Sequence, residues 1–249
     1  MKILYLDFFL GMEIKMLIGA IISLGADKMV LEAQTKSVFC DAQLSYTDVK
    51  RCGIDALKAD VFLNSSKAFE YEKALEFAEL NINDNAALMY LKRIFKVYFE
   101  TDSSALIKES EICELYTLYL ALKNIDADYV ISSPIREGSG FYEKDGGYFI
   151  VPSNTALEIF KNEKIPVKTV ELEKELTGAL GASVLSQTAN EYGTMPQMNI
   201  EKIGYGAGCE DLSMPSLLRA VIGTTDGGEL GKMFESTDLF AEISEEIFV

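Results

Sequence analysis

Apolar and polar positions follow two rhythms along this 249-residue chain, one of period two and one helical, and they divide it into short strands and longer helices. Residues 2–9 (KILYLDFF) are almost continuously apolar and read as a buried opening strand. Residues 12–24 carry apolar side chains at helical spacing and stop at Gly25. Two alternating runs, 44–50 and 59–63, flank Arg51-Cys52-Gly53 and predict a hairpin. Asn64-Ser65-Ser66 offers a cap for a helix through Phe69, Ala74, Phe77 and Leu80, which the polar residues 81–85 break. A helix over 86–99 places Leu88, Leu91, Ile94, Phe95 and Tyr98 on one face, and another spans 106–122.

Further along, a short strand at 128–133 ends at Pro134, and Gly138-Ser139-Gly140 and Asp145-Gly146-Gly147 punctuate a hairpin that reaches Val151-Pro152. Ser153 caps a helix containing Leu157, Ile159 and Phe160, and residues 176–192 predict another helix despite Gly178 and Gly181. Met198, Ile200 and Lys202 alternate into Gly204-Tyr205-Gly206-Ala207-Gly208, and a second apolar run, 217–222, follows Pro215. The pair reads as a hairpin with a wide loop. Glycines spaced by two predict a bulged or twisted strand to which another backbone or a ligand comes close. The expected fold class is α/β or α+β, a mixed β-sheet layered with helices, with one main domain over 1–223 and an acidic appendage over 224–249.

Composition narrows the chemistry. A formal charge of -16 argues against nucleic acid or an anionic membrane as partner, and 49% hydrophobic content is ample for a core. With no histidine, the commonest general base near neutral pH and the commonest nickel or zinc ligand are both missing, which leaves carboxylates, thiols, Lys and Tyr. Cys40, Cys52, Cys113 and Cys209 are scattered without metal-ligand spacing and read as reduced core thiols. The apolar run 16–26 is too short to span a bilayer and follows Asp7, Glu13 and Lys15, so a cytoplasmic protein is expected.

Two constellations could carry chemistry. Asp7 ends the first strand with Gly11 in the turn after it, where the next helix N-terminus favours an anion or a carboxylate can meet a metal; a helix cap or turn residue is the plainer explanation. Glu111 and Glu114 share a helix face, with Glu109 and Cys113 close in sequence; a solvated acidic edge explains them as well.

The stretch 196–223, PQMNIEKIGYGAGCEDLSMPSLLRAVIG, resembles the LarC family of nickel insertion proteins, which complete the nickel-pincer nucleotide cofactor of lactate racemase. Ser133-Pro134, Gly138-Ser139-Gly140-Phe141, Val151-Pro152, Ala156-Leu157-Glu158, Ile165-Pro166-Val167 and Glu175-Leu176-Thr177 extend the resemblance through that family's N-terminal domain. The resemblance implies nickel insertion by cyclometallation at a pyridinium nucleotide. It makes Asp7, Glu109 and Glu114 candidate oxygen ligands for the metal and Cys113 a candidate soft ligand, with Ser139, Thr177 and Gly206 set to hold a nucleotide phosphate. It also implies a manganese-bound cytidine nucleotide held by a separate C-terminal domain, and therefore a homo-oligomer or a partner chain carrying that domain.

Polar positions depart from the family pattern. Leu10-Gly11-Met12-Glu13-Ile14-Lys15-Met16 stands where the family has Ser-Gly-x-Ser-Gly-Asp-Met, Lys108 stands at its His position, and Asp145-Gly146 replaces His-Gly. Gly178-Ala179-Leu180-Gly181-Ala182 replaces Thr-Pro-Thr-Gly-Ala. A kept framework with replaced polar groups implies a divergent relative, the alternative being a scaffold or binding module that kept the fold without catalysis.

Overall fold

The opening apolar run forms β1 (Lys2–Phe8) in a computed structural model that describes residues 1–144 and 146–225. After the Gly11 turn comes α1 (Ile14–Ser23), which buries Ile14, Met16, Leu17, Ile18, Ala20, Ile21 and Ile22. Next is α2 (Lys28–Val38), which the sequence reading did not contain. Asp27 caps it, accepting from the Met29 and Val30 amides at 2.9 and 3.2 Å. The expected hairpin is present and longer, as β2 (Gln43–Arg51) and β3 (Ile54–Phe62).

Residues 64–66 do not cap a helix as expected. Ser65 turns its hydroxyl to Glu109, the two-residue strand β4 (Ala68–Phe69) intervenes, and α3 (Tyr71–Asn81) starts after Glu70. Asp84 caps α4 (Asn85–Thr101), and β5 (Ile107–Lys108) leads into α5 (Glu109–Ile125), which buries Ile112, Cys113 and residues 115–122. Then follow β6 (Tyr129–Ser132), β7 (Ile135–Glu137), the hairpin β8 (Gly140–Lys144) and β9 (Gly147–Val151), the Ser153-capped α6 (Asn154–Asn162), and β10 (Val167–Thr169). The expected 176–192 helix is shorter, α7 (Ala179–Thr188), because Glu191 and Tyr192 leave it to form β11 (Glu191–Tyr192) beside β6. The long pair β12 (Asn199–Ala207) and β13 (Leu217–Thr224) closes the described chain. Asp145 of the expected turn, and all but the first two residues of the acidic segment 224–249, lie outside the described residues.

Among the described residues seven strands make one mixed sheet in the order β11-β6-β1-β13-β12-β3-β2. Pairing is parallel at β1/β6, β6/β11 and β12/β3, and antiparallel at β1/β13, β12/β13 and β2/β3. Leu4, Leu6 and Phe8 point to the face carrying the helices and join the main core. Ile3 and Tyr5 point to the other face, in a small cluster with Tyr129, Ile131 and Val221. The architecture is the mixed, helix-layered sheet expected from the sequence, built on one main core.

The glycine run serves this layering. A Cβ on Gly206 would lie 1.8 Å from the Met16 carbonyl oxygen and 2.5 Å from the Ala20 nitrogen, so α1 lies directly on the β12 backbone. The close approach expected from the glycine spacing is made by a backbone. The bulge falls earlier, between Ile200 and Lys202.

Candidate functional site

The chain reverses direction at the C-terminal end of β1, and the three segments that meet there are the starts of helices. Gly11 makes the turn with φ +59°, a conformation open to glycine, and its amide donates to the Arg136 carbonyl at 2.7 Å. Leu176 packs against it so tightly that any Cβ on Gly11 would meet the Leu176 carbonyl at 2.3 Å. The turn delivers Glu13 and Lys15 at the start of α1, next to Lys108, Ser110, Glu111 and Glu114 at the start of α5. Leu180 and Gly181 from the first turn of α7, with Cys209 from the loop after β12, complete a cleft of about 320 Å³. A second recess of about 260 Å³ adjoins it, sharing Met12, Glu13 and Cys209 and adding Lys174, Gly178 and Ser216.

Charge inside the cleft is mixed and mostly committed. Lys15 Nζ lies 3.4 Å from Glu114, with Glu111 and Asp60 also near that carboxyl. Glu111 caps α5 by accepting from the Lys108 amide at 2.7 Å. Glu13 accepts from the Cys209 amide at 3.0 Å. Burial pushes the Glu114 carboxyl up to about 7, against the opposing pull of Lys15. Cys209, though exposed as a residue, has its thiol partly covered at the cleft edge and goes up to about 12, through that desolvation first and then Glu13, which keeps the thiol neutral.

The Glu114 shift has a stability consequence. Its folded-state value lies above its ordinary 4.5, so the folded chain binds more protons than the unfolded one between about pH 4.5 and 7. The stability this provides is complete below that window and is lost as pH rises through it. Thermal melts across pH 4.5–7 should therefore show a downward slope that Glu114→Gln flattens; an unchanged slope in the variant would show that another group titrates.

A larger recess, about 650 Å³, lies at the other end of α1, between Ser23, Lys28 and the β2–β3 hairpin. Its charges are surface groups such as Lys50 and Asp55, which pair at 3.1 Å, and Lys28 at the start of α2 is, among the described residues, the one helix start on its lining. The smaller cleft, beyond the C-terminal end of β1, occupies the position where α/β sheets gather ligand-binding groups.

The residues singled out in the sequence distribute as follows. Glu114 lies in the cleft. Asp7 lies on the opposite face of the sheet, ion-paired at 2.5 Å with Arg219, whose guanidinium sits 5.2 Å from the Phe9 ring centre and also bonds Tyr205. Glu109 turns from the cleft toward the Ser65 hydroxyl and the Lys67 ammonium, the latter at 3.3 Å. Cys113 is fully buried, and burial raises its thiol to about 12, so no thiolate is offered there. The four candidate metal ligands thus do not converge on one point. Among the described residues no group of three or more Cys, Asp or Glu side chains is placed to share a metal ion.

The three candidate phosphate contacts are also committed elsewhere. Ser139 donates its hydroxyl to the Val170 carbonyl at 2.8 Å. Thr177 is buried, with its hydroxyl accepting from the Met12 amide at 3.0 Å. Gly206 is covered by α1. The expectation of four reduced core thiols holds in part: all four cysteines are free, yet only Cys113 is buried, while Cys40, Cys52 and Cys209 are exposed. The sequence showed Lys15 only as a departure from the family motif, where the family has Asp, without marking it as a cleft residue, and it did not single out Glu137, a fully buried carboxyl behind the cleft wall. No described helix is long and apolar enough to cross a membrane.

Comparison with known proteins agrees with the resemblance in the sequence. The chain is 30% identical over 252 residues to a pyridinium-3,5-bisthiocarboxylic acid mononucleotide nickel insertion protein of Geobacillus kaustophilus, covering 90% of this chain and 60% of that protein. Relatives with the same description from Clostridium kluyveri and Thermotoga petrophila are 29% and 28% identical, covering 92% and 99% of this chain and 64% and 69% of those proteins. The chain thus spans about 60% of the length of the Geobacillus and Clostridium relatives. No solved structure matches. The sequence model of the nickel insertion protein family matches residues 4–242, nearly the whole chain, and this protein belongs to that family.

Proposed function

We propose that this chain takes part in inserting nickel into a pyridinium-3,5-bisthiocarboxylic acid mononucleotide, and that the cleft among α1, α5 and α7 holds the mononucleotide. The observation that carries this reading is the family match over residues 4–242, joined to a cleft where three helix starts and Lys15 face one space. The ligand named for the relatives carries a phosphate and two thiocarboxylates, all anionic, on a flat cationic ring. Helix N-termini and lysines suit the anionic groups. The carboxylates of Glu13 and Glu114 suit the ring.

Nickel is the cargo here. Thiocarboxylate sulfur is a soft donor, so the substrate itself supplies ligands that nickel favours, and the chain needs no donor cluster of its own. In this reading Asp7 and Cys113 play no part in metal handling, and Glu114 acts on the ligand. The manganese-bound cytidine nucleotide implied by the family resemblance falls to the part of the family's length that these matches leave uncovered. The divergent polar motifs fit such a division of labour.

Calorimetric titration of the chain with the nickel-free mononucleotide should give a Kd of about micromolar order, and titration with nickel chloride alone should give no binding of that strength. Absence of mononucleotide binding would remove the reading.

A further inference from the structure

Glu137 ends β7 with a carboxyl that is fully buried. Its Oε1 accepts from the Gly138 amide at 3.0 Å and from the Leu176 amide at 2.5 Å, and the Thr177 hydroxyl also bonds the carboxyl. Among the described residues its Oε2 has no hydrogen-bond partner. A buried carboxylate loses several kcal/mol of hydration, and an oxygen left without a donor leaves part of that loss uncompensated. As a device for stability alone, an apolar residue would serve the interior better.

What the carboxyl does accomplish is positional. Leu176 and Thr177, both tied to Glu137, are the residues that hold Met12: the Met12 amide donates to the Leu176 carbonyl at 3.2 Å and to the Thr177 hydroxyl at 3.0 Å. Thr177 also leads directly into Gly178, the N-cap of α7, whose first turn has no side-chain cap. Met12 lines both recesses, and the first turn of α7 opens onto them. One buried oxygen therefore fixes two walls of the cleft from behind, across 39 residues of sequence.

We propose that Glu137 is a positioning residue for the cleft: through Leu176 and Thr177 it sets the Met12 backbone and the α7 N-terminus against which the anionic end of the ligand lies, without touching the ligand itself. This inference rests on the cleft being the mononucleotide site.

The test uses the full chain and the nickel-free mononucleotide, with three variants. Glu137→Leu removes the acceptor at similar volume, Thr177→Val cuts the next bond in the relay, and Glu137→Gln keeps the Oε1 acceptor without the charge. Circular dichroism establishes that each is folded, and Thr177→Val carries the test if Glu137→Leu does not fold. Misplacing a binding wall by a fraction of an ångström should weaken affinity about tenfold or more in Glu137→Leu and Thr177→Val, with Glu137→Gln within about threefold of the parent. Faster amide exchange at Met12 and Leu176 should accompany the loss, a change that a general loss of stability would spread over the whole sheet. Folded Glu137→Leu or Thr177→Val binding as the parent does, or Glu137→Gln binding as weakly as Glu137→Leu, would overturn the inference and leave the cleft reading standing. A parent chain that binds no mononucleotide overturns both.

Discussion

Replacing Gly206 with valine should leave no folded protein at 25 °C, and replacing it with alanine should cost more than about 3 kcal/mol, as measured by urea unfolding. The added Cβ would meet the Met16 carbonyl oxygen at 1.8 Å and the Ala20 nitrogen at 2.5 Å. Both are backbone atoms of α1, so no side-chain rotation relieves the overlap. Relief requires lifting α1 from β12, and α1 buries seven apolar side chains besides Gly19. At about 1.5–3 kcal/mol for each large apolar side chain, even partial loss of that packing rivals the roughly 5–15 kcal/mol that holds a domain folded. Gly178→Ala provides the contrast, because nothing among the described residues lies within 4 Å of a Cβ built there. A cooperative transition of Gly206→Ala at the parent's urea midpoint would show that α1 does not sit where it is described.

Lys15→Glu should lower affinity for the nickel-free mononucleotide about a hundredfold, a loss of roughly 2.7 kcal/mol, while the chain stays folded. Lys15 is a cationic side chain of the cleft, with Lys108, and lies 3.4 Å from Glu114 with Asp60 and Cys209 also near it. A glutamate in its place would join Glu13, Glu111 and Glu114 in one small space and repel a ligand whose phosphate and thiocarboxylates are all negative. Its side chain is 27% exposed, so the fold does not depend on it as it depends on Gly206. Lys15→Ala, which removes the attraction without adding repulsion, should fall between the two. Parent-like affinity in Lys15→Glu would place the ligand elsewhere.

Where the sequence reading succeeded and failed follows from how far each signal reaches. β1, the β2–β3 hairpin, α4 and the Ser153 cap were legible because their determinants are local: continuous apolar residues, alternation around Arg51-Cys52-Gly53, a five-residue apolar face, and a serine before a helix. α2 was not, since it buries only Leu31 and Thr35 and the rest of its surface is exposed or half-exposed, leaving little periodic contrast.

Asp7 was placed correctly at the end of a strand and yet on the wrong side for the cleft. β1 is apolar on both faces, and a strand of that kind does not announce which face the helices cover. Glu137 was invisible for a different reason. Its partners are the amides of Gly138 and Leu176, and no pattern within β7 signals a bond to a residue that much later in the chain. Gly206 shows an intermediate case, with the close approach readable and the approaching group, α1, fixed only by the fold.

Amide hydrogen exchange with and without the nickel-free mononucleotide tests the cleft assignment most directly. Slower exchange in the first turns of α1, α5 and α7 and at Cys209, with Asp7, Tyr205 and Arg219 unchanged on the other face of the sheet, is the expected result. Protection confined to the Asp7–Arg219 face, or no protection anywhere at saturating ligand, would contradict it.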